Sequence, residues 1–186
     1  MSLERLVIVH GYHASPSSHW FAWLADEVVR DGVRVAIPAL PEPTSPDLEG
    51  WITTVADAIG TPDDGLTVVA HSLGAITVLH ALGRLAGDWS LGAFVVVSGF
   101  ADSLPALPEL DGFTADPPDI ERLAERIRQR TVIASDNDTI VPPAASHALG
   151  RRLDAQLVTV PGAGHFLADD GYTTLPAVLH PVTRPA

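Results

Sequence analysis

The 186-residue sequence contains no cysteine, and all eleven of its basic residues are arginine, so lysine is missing as well. The lack of cysteine excludes disulfides, thiolate zinc sites and a cysteine nucleophile. No apolar run approaches the roughly 20 residues that a membrane-spanning helix needs. The N-terminal segment has no basic region followed by a long apolar stretch, so it does not resemble a secretory signal peptide. We therefore expect a cytoplasmic protein with no membrane partner.

Positive charge is also scarce. The 11 basic residues stand against 23 acidic ones, which gives a formal net charge of −12 and a pI of about 4.8. Such an acidic chain is a poor match for nucleic acid or for an anionic membrane surface. Hydrophobic residues make up 46% of the chain and charged residues 18%, which is typical of a globular protein. We predict a single domain over residues 1–186.

Short, apolar, mostly β-branched segments recur along the chain and alternate with segments of helical periodicity. The predicted strands cover residues 5–9, 33–37, 66–70, 92–97, 131–134 and 156–160. The predicted helices cover residues 19–32, 45–60, 72–87, 118–130, 142–153 and 171–180. This alternation predicts an α/β fold, a doubly wound sheet of about six parallel strands flanked by helices.

Three segments carry more specific expectations. Ser45 is the expected N-cap of the second helix. In the fourth helix, Ile120, Leu123 and Ile127 are expected to share one buried face. The proline-rich stretch 98–119 leaves the carboxyl end of a strand, where α/β sheets bind ligands, so it is either a wall of the substrate pocket or a plain surface loop.

Residues 70–74, Ala-His-Ser-Leu-Gly, join the third strand to the following helix. They match the G-x-S-x-G nucleophile elbow, with alanine in place of the first glycine. In such a turn the serine has a strained backbone conformation, and strand and helix pass so close together that only small residues fit at both ends. Ser72 is therefore a candidate nucleophile, and the alternative is that its hydroxyl caps the helix.

A serine nucleophile needs a histidine base and an acid that orients the base, and in elbow-bearing hydrolases the chain order is Ser, Asp, His. The loop after the fifth strand offers Asp136 and Asp138, and the glycine-rich loop after the sixth offers His165. We favour Asp138 because it lies deeper in its loop, whereas Asp136 could cap the turn. The order predicts a triad of Ser72, Asp138 and His165.

The oxyanion of an acyl-transfer reaction also needs two N–H donors. The first is expected from Leu73, which follows the serine at the start of a helix. The second is expected from the turn after the first strand, where Gly11 lets the backbone approach closely and the N–H of Tyr12 is the natural donor.

His10, His13 and His19 lie close together in sequence and raise the alternative of a metal site. Their spacing is not that of a regular ligand set, so we expect no metal. His71, inside the elbow, is expected to be structural or to line the pocket rather than to act as a second base.

Four segments in the order of the chain carry a family resemblance. They are HGY with HW (10–12 and 19–20), AHSLG (70–74), ASDNDTIVP (134–142) and GAGHF (162–166). Together they resemble the small serine hydrolases of the retinoblastoma-binding protein 9 and YdeN type. The resemblance runs over essentially the whole chain and implies an α/β-hydrolase fold without a large cap domain.

The same resemblance implies that Ser72, Asp138 and His165 form the triad and that Tyr12 and Leu73 supply the oxyanion donors. A role in binding a retinoblastoma-type protein would use an L-x-C-x-E segment, which a chain without cysteine does not contain.

We therefore expect a serine hydrolase, of carboxylesterase or aminopeptidase-like activity, that cleaves small ester or amide substrates without cofactor or metal. A shallow pocket is expected, lined by Tyr12, Trp20, His71, Phe100, Leu104, Phe113 and Phe166. A thioesterase or a cofactor-free perhydrolase on the same triad, or a non-catalytic binding module that kept the fold, are the alternatives. The oligomeric state stays open.

Overall fold

Six parallel strands form one sheet in the computed structural model, which describes residues 3–183. The strands are β1 (Arg5–Val9), β2 (Arg34–Ala36), β3 (Leu66–His71), β4 (Leu91–Val97), β5 (Ile127–Ser135) and β6 (Gln156–Val160). Their order is β2-β1-β3-β4-β5-β6, and every neighbouring pair is parallel. The predicted doubly wound sheet is confirmed. The strand order reverses between β1 and β3, which is where such sheets bind ligands.

Seven α-helices cover the two faces of the sheet in residues 3–183. They are α1 (Phe21–Val29), α2 (Leu48–Ile59), α3 (Gly74–Gly83), α4 (Asp111–Thr114), α5 (Ile120–Ala124), α6 (Pro143–Arg152) and α7 (Pro176–Thr183). Helices α1 and α7 pack on one face, and the other five pack on the opposite face. None of the helices in this part of the chain combines the length and apolar character needed to cross a bilayer.

The central strands β1, β3 and β4 are buried on both faces, which explains their continuous apolar sequences, whereas the edge strands β2 and β6 are largely exposed. In β1, Leu6 and Ile8 point toward α1 and α7, whereas Val7 and Val9 point toward the opposite helices. Burying each such side chain contributes roughly 1.5–3 kcal/mol. The core therefore fixes the central strands, whose carboxyl ends carry the elbow and the loops discussed below.

The prediction of a helix over 118–130 was wrong in its second half. Helix α5 ends at Ala124, and Ile127 begins β5, opposite Leu91 of β4. The apolar spacing of Ile120, Leu123 and Ile127 fits a helical face, but pairing along the length of β4 outweighs this local preference. Tertiary contacts thus decide the state of residues 127–130.

Two further expectations need correction. Helix α2 begins at Leu48, and its N-cap is Asp47 rather than Ser45; the Asp47 carboxylate accepts from the N–H of Gly50 at 2.8 Å. The stretch 98–119 is not a plain surface loop, because it contains a short 3-10 helix (Pro108–Leu110) and α4.

The 98–119 stretch is anchored on α2 and α3 through Phe113. The Phe113 ring packs edge-on against Trp51 with ring centroids 5.6 Å apart, and its carbonyl lies 2.8 Å from Nε2 of His80. The stretch therefore lies over the helices beside the elbow as an ordered segment.

Candidate active site

Ser72 lies in the turn between β3 and α3, and its backbone is in the left-handed region with a φ of 55°. Its N–H donates to the carbonyl of Val97 at 2.9 Å, which ties the turn to β4. The N-cap position of α3 is Leu73, and within residues 3–183 the Ser72 hydroxyl makes no hydrogen bond to the helix. The helix-cap alternative is therefore wrong, and the strained conformation is that of a nucleophile elbow.

Two glycines let the chain pass close to Ser72. A Cβ on Gly74 would lie 2.7 Å from the carbonyl oxygen of His10 and 2.8 Å from that of Val9. A Cβ on Gly11 would lie 2.8 Å from the Cβ of Ser72. Since neither position can hold a larger residue without a shift, the turn after β1 lies directly against the serine.

The N–H groups of Tyr12 and Leu73 flank this contact. Neither group donates a backbone hydrogen bond within the part of the chain that the structure describes. Leu73 also precedes the first turn of α3, where the helix dipole favours negative charge. The two free donors beside Ser72 match the arrangement that stabilises a tetrahedral oxyanion.

Asp138 and His165 are hydrogen-bonded at the carboxyl ends of β5 and β6. The Asp138 Oδ2 lies 2.7 Å from Nδ1 of His165, and the Asp138 side chain is only 1% exposed. Its Oδ1 accepts from the N–H groups of Ile140 and Val141, each at 2.9 Å. The carboxylate is therefore fixed on three sides, and it contacts Nδ1 rather than Nε2 of the His165 ring.

The same contacts set the charge of the acid. Burial raises the pKa of the Asp138 carboxyl, but the hydrogen bond and charge of His165 and the N–H of Val141 outweigh burial, so the pKa lies below its ordinary 3.8. Asp138 is thus ionised at neutral pH and holds the proton of His165 on Nδ1.

Asp136 has a different contact from the one that a triad acid requires. Its Oδ1 accepts from the N–H of residue 162 at 2.7 Å, while Ser135 Oγ accepts from residue 163 at 2.9 Å and Asn137 Oδ1 from residue 164 at 2.8 Å. Three successive side chains after β5 therefore hold the backbone that leads to His165. Sequence reasoning missed Ser135 and Asn137, although a polar triplet opposite a glycine-rich loop is the signal that points to them.

His71 connects the serine turn to the histidine loop. Its Nε2 lies 2.9 Å from the backbone carbonyl of His165, so Nε2 carries the proton and donates it. Its Nδ1 is buried and has no hydrogen-bond partner within residues 3–183. Burial, and next the charge of His165, hold the pKa of His71 well below the ordinary 6.5, so the ring is neutral. The expectation of a structural role fits these contacts.

His10 supports the turn after β1 in a similar way. Its Nε2 accepts from the N–H of Leu40 at 3.1 Å, and Nδ1 donates to the carbonyl of Gly11 at 2.9 Å. Burial lowers its pKa from 6.5. Within residues 3–183, no three histidine, aspartate or glutamate side chains converge as a group that could hold a metal ion.

The structure encloses most of the side chains that were expected to line a pocket. Trp20 and Phe166 are fully buried in the core beneath α1 and α7, so neither ring reaches the surface, and their role as pocket residues stays a prediction. Large apolar rings here fill the space between sheet and helices. The exposed fractions of the others are also small: 1% for Phe100, 2% for His71, 3% for Phe113 and 5% for Leu104.

Two buried tryptophans lie edge-on against the site histidines. The ring centroids of Trp20 and His71 are 6.2 Å apart, and those of Trp51 and His10 are 5.8 Å apart. Tyr12 is partly buried, and its ring lies 4.1 Å from that of His13. The aromatic residues therefore support the site from within the core.

Comparisons with known proteins show the family of the chain. Residues 6–184 match the model of a family described as serine hydrolase. The protein YdeN of Bacillus subtilis (strain 168) is 42% identical over 180 residues, which cover 97% of this chain and 95% of YdeN. The crystal structure of the ydeN gene product superposes with a TM-score of 0.91 over 95% of both chains.

More distant structures share the fold alone. Est1E from Butyrivibrio proteoclasticus is 17% identical and superposes with a TM-score of 0.66, covering 89% of this chain and 81% of Est1E. The structural neighbours are α/β hydrolases, which confirms the predicted fold class.

Proposed function

Because the chain belongs to the serine hydrolase family, we propose that it hydrolyses small carboxylic esters or amides, with Ser72 as nucleophile, His165 as base and Asp138 as orienting acid. The observation that carries the proposal is the buried 2.7 Å hydrogen bond between Asp138 and His165. This bond joins two residues that are 27 positions apart in sequence. The loop that carries His165 is in turn hydrogen-bonded to His71, which immediately precedes Ser72.

The reaction would proceed in two halves. The Ser72 oxygen attacks the substrate carbonyl carbon while Nε2 of His165 takes the hydroxyl proton, and Asp138 stabilises the resulting imidazolium. The N–H groups of Tyr12 and Leu73 bind the oxyanion of the tetrahedral intermediate. His165 then gives its proton to the leaving alkoxide or amine, and an ester between Ser72 and the acyl group remains.

Water completes the cycle. His165 removes a proton from water, the hydroxide attacks the acyl-serine carbonyl, and the proton returns to Ser72 as the carboxylic acid leaves. All proton transfers use one imidazole nitrogen, so His165 is the one proton carrier that these steps need. The likeness to the retinoblastoma-binding protein 9 type, which rests on the four sequence motifs, supports the same reaction class.

A fluorophosphonate probe tests this proposal, because it labels a serine only when the serine is activated. We expect the purified protein to be labelled at one position and Ser72→Ala to lose the label completely. Ser90→Ala is the matched control, since its hydroxyl donates to Asp64 at the opposite end of the sheet. Equal labelling of the wild type and Ser72→Ala, or no labelling of either, would overturn the proposal.

A further inference from the structure

The loop between β6 and α7, which carries His165, is held by side chains from three directions. Asp170, within the loop, accepts from the N–H groups of His165 and Leu167 through Oδ2, at 2.9 and 3.1 Å. Ser135, Asp136 and Asn137, at the carboxyl end of β5, hold residues 162–164. Two histidines that the proposed chemistry does not use also bind the loop.

His71 holds the loop at the base itself. The acceptor of its Nε2–H, at 2.9 Å, is the main-chain carbonyl of His165, and the two rings lie 4.8 Å apart. Because His71 immediately precedes Ser72, this bond fixes the distance between the nucleophile's backbone and the base's backbone.

His19 holds the same loop three residues further on. Its Nδ1 accepts from the N–H of Ala168 at 3.0 Å, and its ring lies 5.6 Å from that of His71. His19 precedes α1 and has a φ of 54°, a left-handed conformation that orients its ring toward the loop. This hydrogen bond joins His19 and Ala168, which are 149 positions apart in sequence.

We propose that His71 and His19 are positioning residues, a two-histidine clamp on the His165 loop in which the His19 bond forms only while that ring is neutral, so that acid releases the loop at Ala168 and lowers turnover. The effect on turnover rests on the proposed function, whereas the contacts themselves do not. The clamp acts through the loop backbone, and neither ring needs to touch the substrate.

Acid acts differently on the two bonds. A protonated His71 would still donate from Nε2, so there acid has its effect through burial of the charge, whereas the bond to His19 needs a neutral ring. A proton on Nδ1 of His19 would place a donor against the N–H of Ala168 and break that bond. A proton on Nδ1 of His71 would create a buried charge without a hydrogen-bond partner. His19 is only half-buried, so it is the ring that acid reaches first.

The charged and titratable groups around the clamp have opposing effects on the pKa of His19. Burial lowers the pKa of His19 from 6.5, and the rings of His165 and His10 lower it further, whereas Asp169 and Asp170 raise it; the net pKa is lowered. His71 faces the rings of His165, His19 and His10. The fold therefore favours the neutral clamp, and protons bind to it only below about 6.5, the ordinary value for histidine.

Substitutions at His19 separate the acceptor from the titration. His19→Asn keeps an acceptor near the position of Nδ1, tolerates a positive φ and does not titrate. His19→Ala removes the acceptor. On p-nitrophenyl acetate, we expect His19→Ala to lower kcat by roughly 10- to 100-fold with little change in KM, as a misplaced base does. We expect His19→Asn to retain most of kcat.

The pH profile gives a readout that a purely structural role would not move. The acid limb of wild-type kcat should include the proton that binds to His19. In His19→Asn that proton cannot bind, so the limb should fall less steeply. His147→Asn on α6 is the control and should keep the wild-type profile. At the second histidine, His71→Gln, which keeps a donor, should retain more activity than His71→Leu.

Amide hydrogen exchange measures the clamp without turnover. In the wild type, the protection factor of the Ala168 N–H should be high at pH 7.5 and fall at pH 5, whereas in His19→Asn it should not fall. Unchanged protection in His19→Ala, or equal impairment of the Asn and Ala variants, would overturn the clamp. If fluorophosphonate labelling fails while these exchange results hold, only the proposed function is wrong.

Discussion

The two ends of the sheet use polar residues in opposite ways. At the amino ends of the strands, ion pairs such as Arg128–Asp64 face solvent, with Arg128 51% and Asp64 36% exposed. At the carboxyl ends, Asp138 is buried. Exposed pairs contribute little because water screens them, whereas a desolvated pair is strongly coupled to its partners. The comparison indicates that polar contacts matter to this molecule chiefly at the carboxyl end.

The largest effect should come from the buried acid. Asp138→Asn should leave the fold intact but lower kcat on p-nitrophenyl acetate by about 10⁴-fold, because an amide favours the wrong tautomer of His165. Asp136→Asn is the matched control, since an amide oxygen can still accept from the N–H of Gly162. A near-silent Asp138→Asn beside a crippling Asp136→Asn would reverse the two roles.

Close packing at the elbow should give the next largest effect. Gly74→Ala places a methyl group against two backbone oxygens that cannot rotate away, so we expect a loss of roughly 1–3 kcal/mol in the free energy of unfolding, together with lower activity. Gly112→Ala, where an added Cβ meets nothing within 4 Å, should be neutral or slightly stabilising. Urea titration of both variants measures the difference. Equal stability of the two variants would contradict the packing argument.

Acid should lower the free energy of unfolding by a smaller amount, through the histidines at the carboxyl ends of the strands. The pKa values of His10, His19 and His71 are lowered in the folded state, so the unfolded chain binds more protons below pH 6.5. The histidine contribution to stability is therefore complete above pH 6.5 and decreases as the pH falls toward the folded-state values. Urea midpoints at pH 7.5, 6.5 and 5.5 should decrease in that order, and less steeply in His71→Gln. An unchanged slope in that variant would show that His71 does not contribute.

The smallest effect should come from the amino end. Asp64 accepts two hydrogen bonds from Arg128, yet both side chains are solvated. Asp64→Asn should leave the urea midpoint unchanged within error at 0.15 M salt, and activity should be that of the wild type. A clear destabilisation would mean that the exposed pairs contribute more than the comparison implies.

Local patterns predicted most of the fold but little of the support around the site. The central strands are recognisable because both of their faces are buried, and the elbow because Ser72 lies between small residues. Ile127 was assigned to a helix because its spacing from Leu123 fits a helical face, and only the pairing with Leu91 decides otherwise. A local pattern cannot contain a contact made by a distant strand.

The histidine contacts were beyond prediction for the same reason. His71 meets a carbonyl 94 residues away, and His10 meets an N–H 30 residues away. Each bond involves a backbone group, which has no sequence signature. The choice of Asp138 over Asp136 stays a prediction, supported by the contact with His165.

The buried tryptophans beside the histidines have an optical consequence. A protonated imidazole quenches the emission of an indole in contact with it, whereas a neutral one does so weakly. Trp20 stands against His71, and Trp51 against His10, so each half of the site has its own fluorophore in the core. With Trp23, Trp89 and one of these two tryptophans replaced by phenylalanine, the emission of the remaining one would report, without any added dye, the pH at which its half of the site becomes charged.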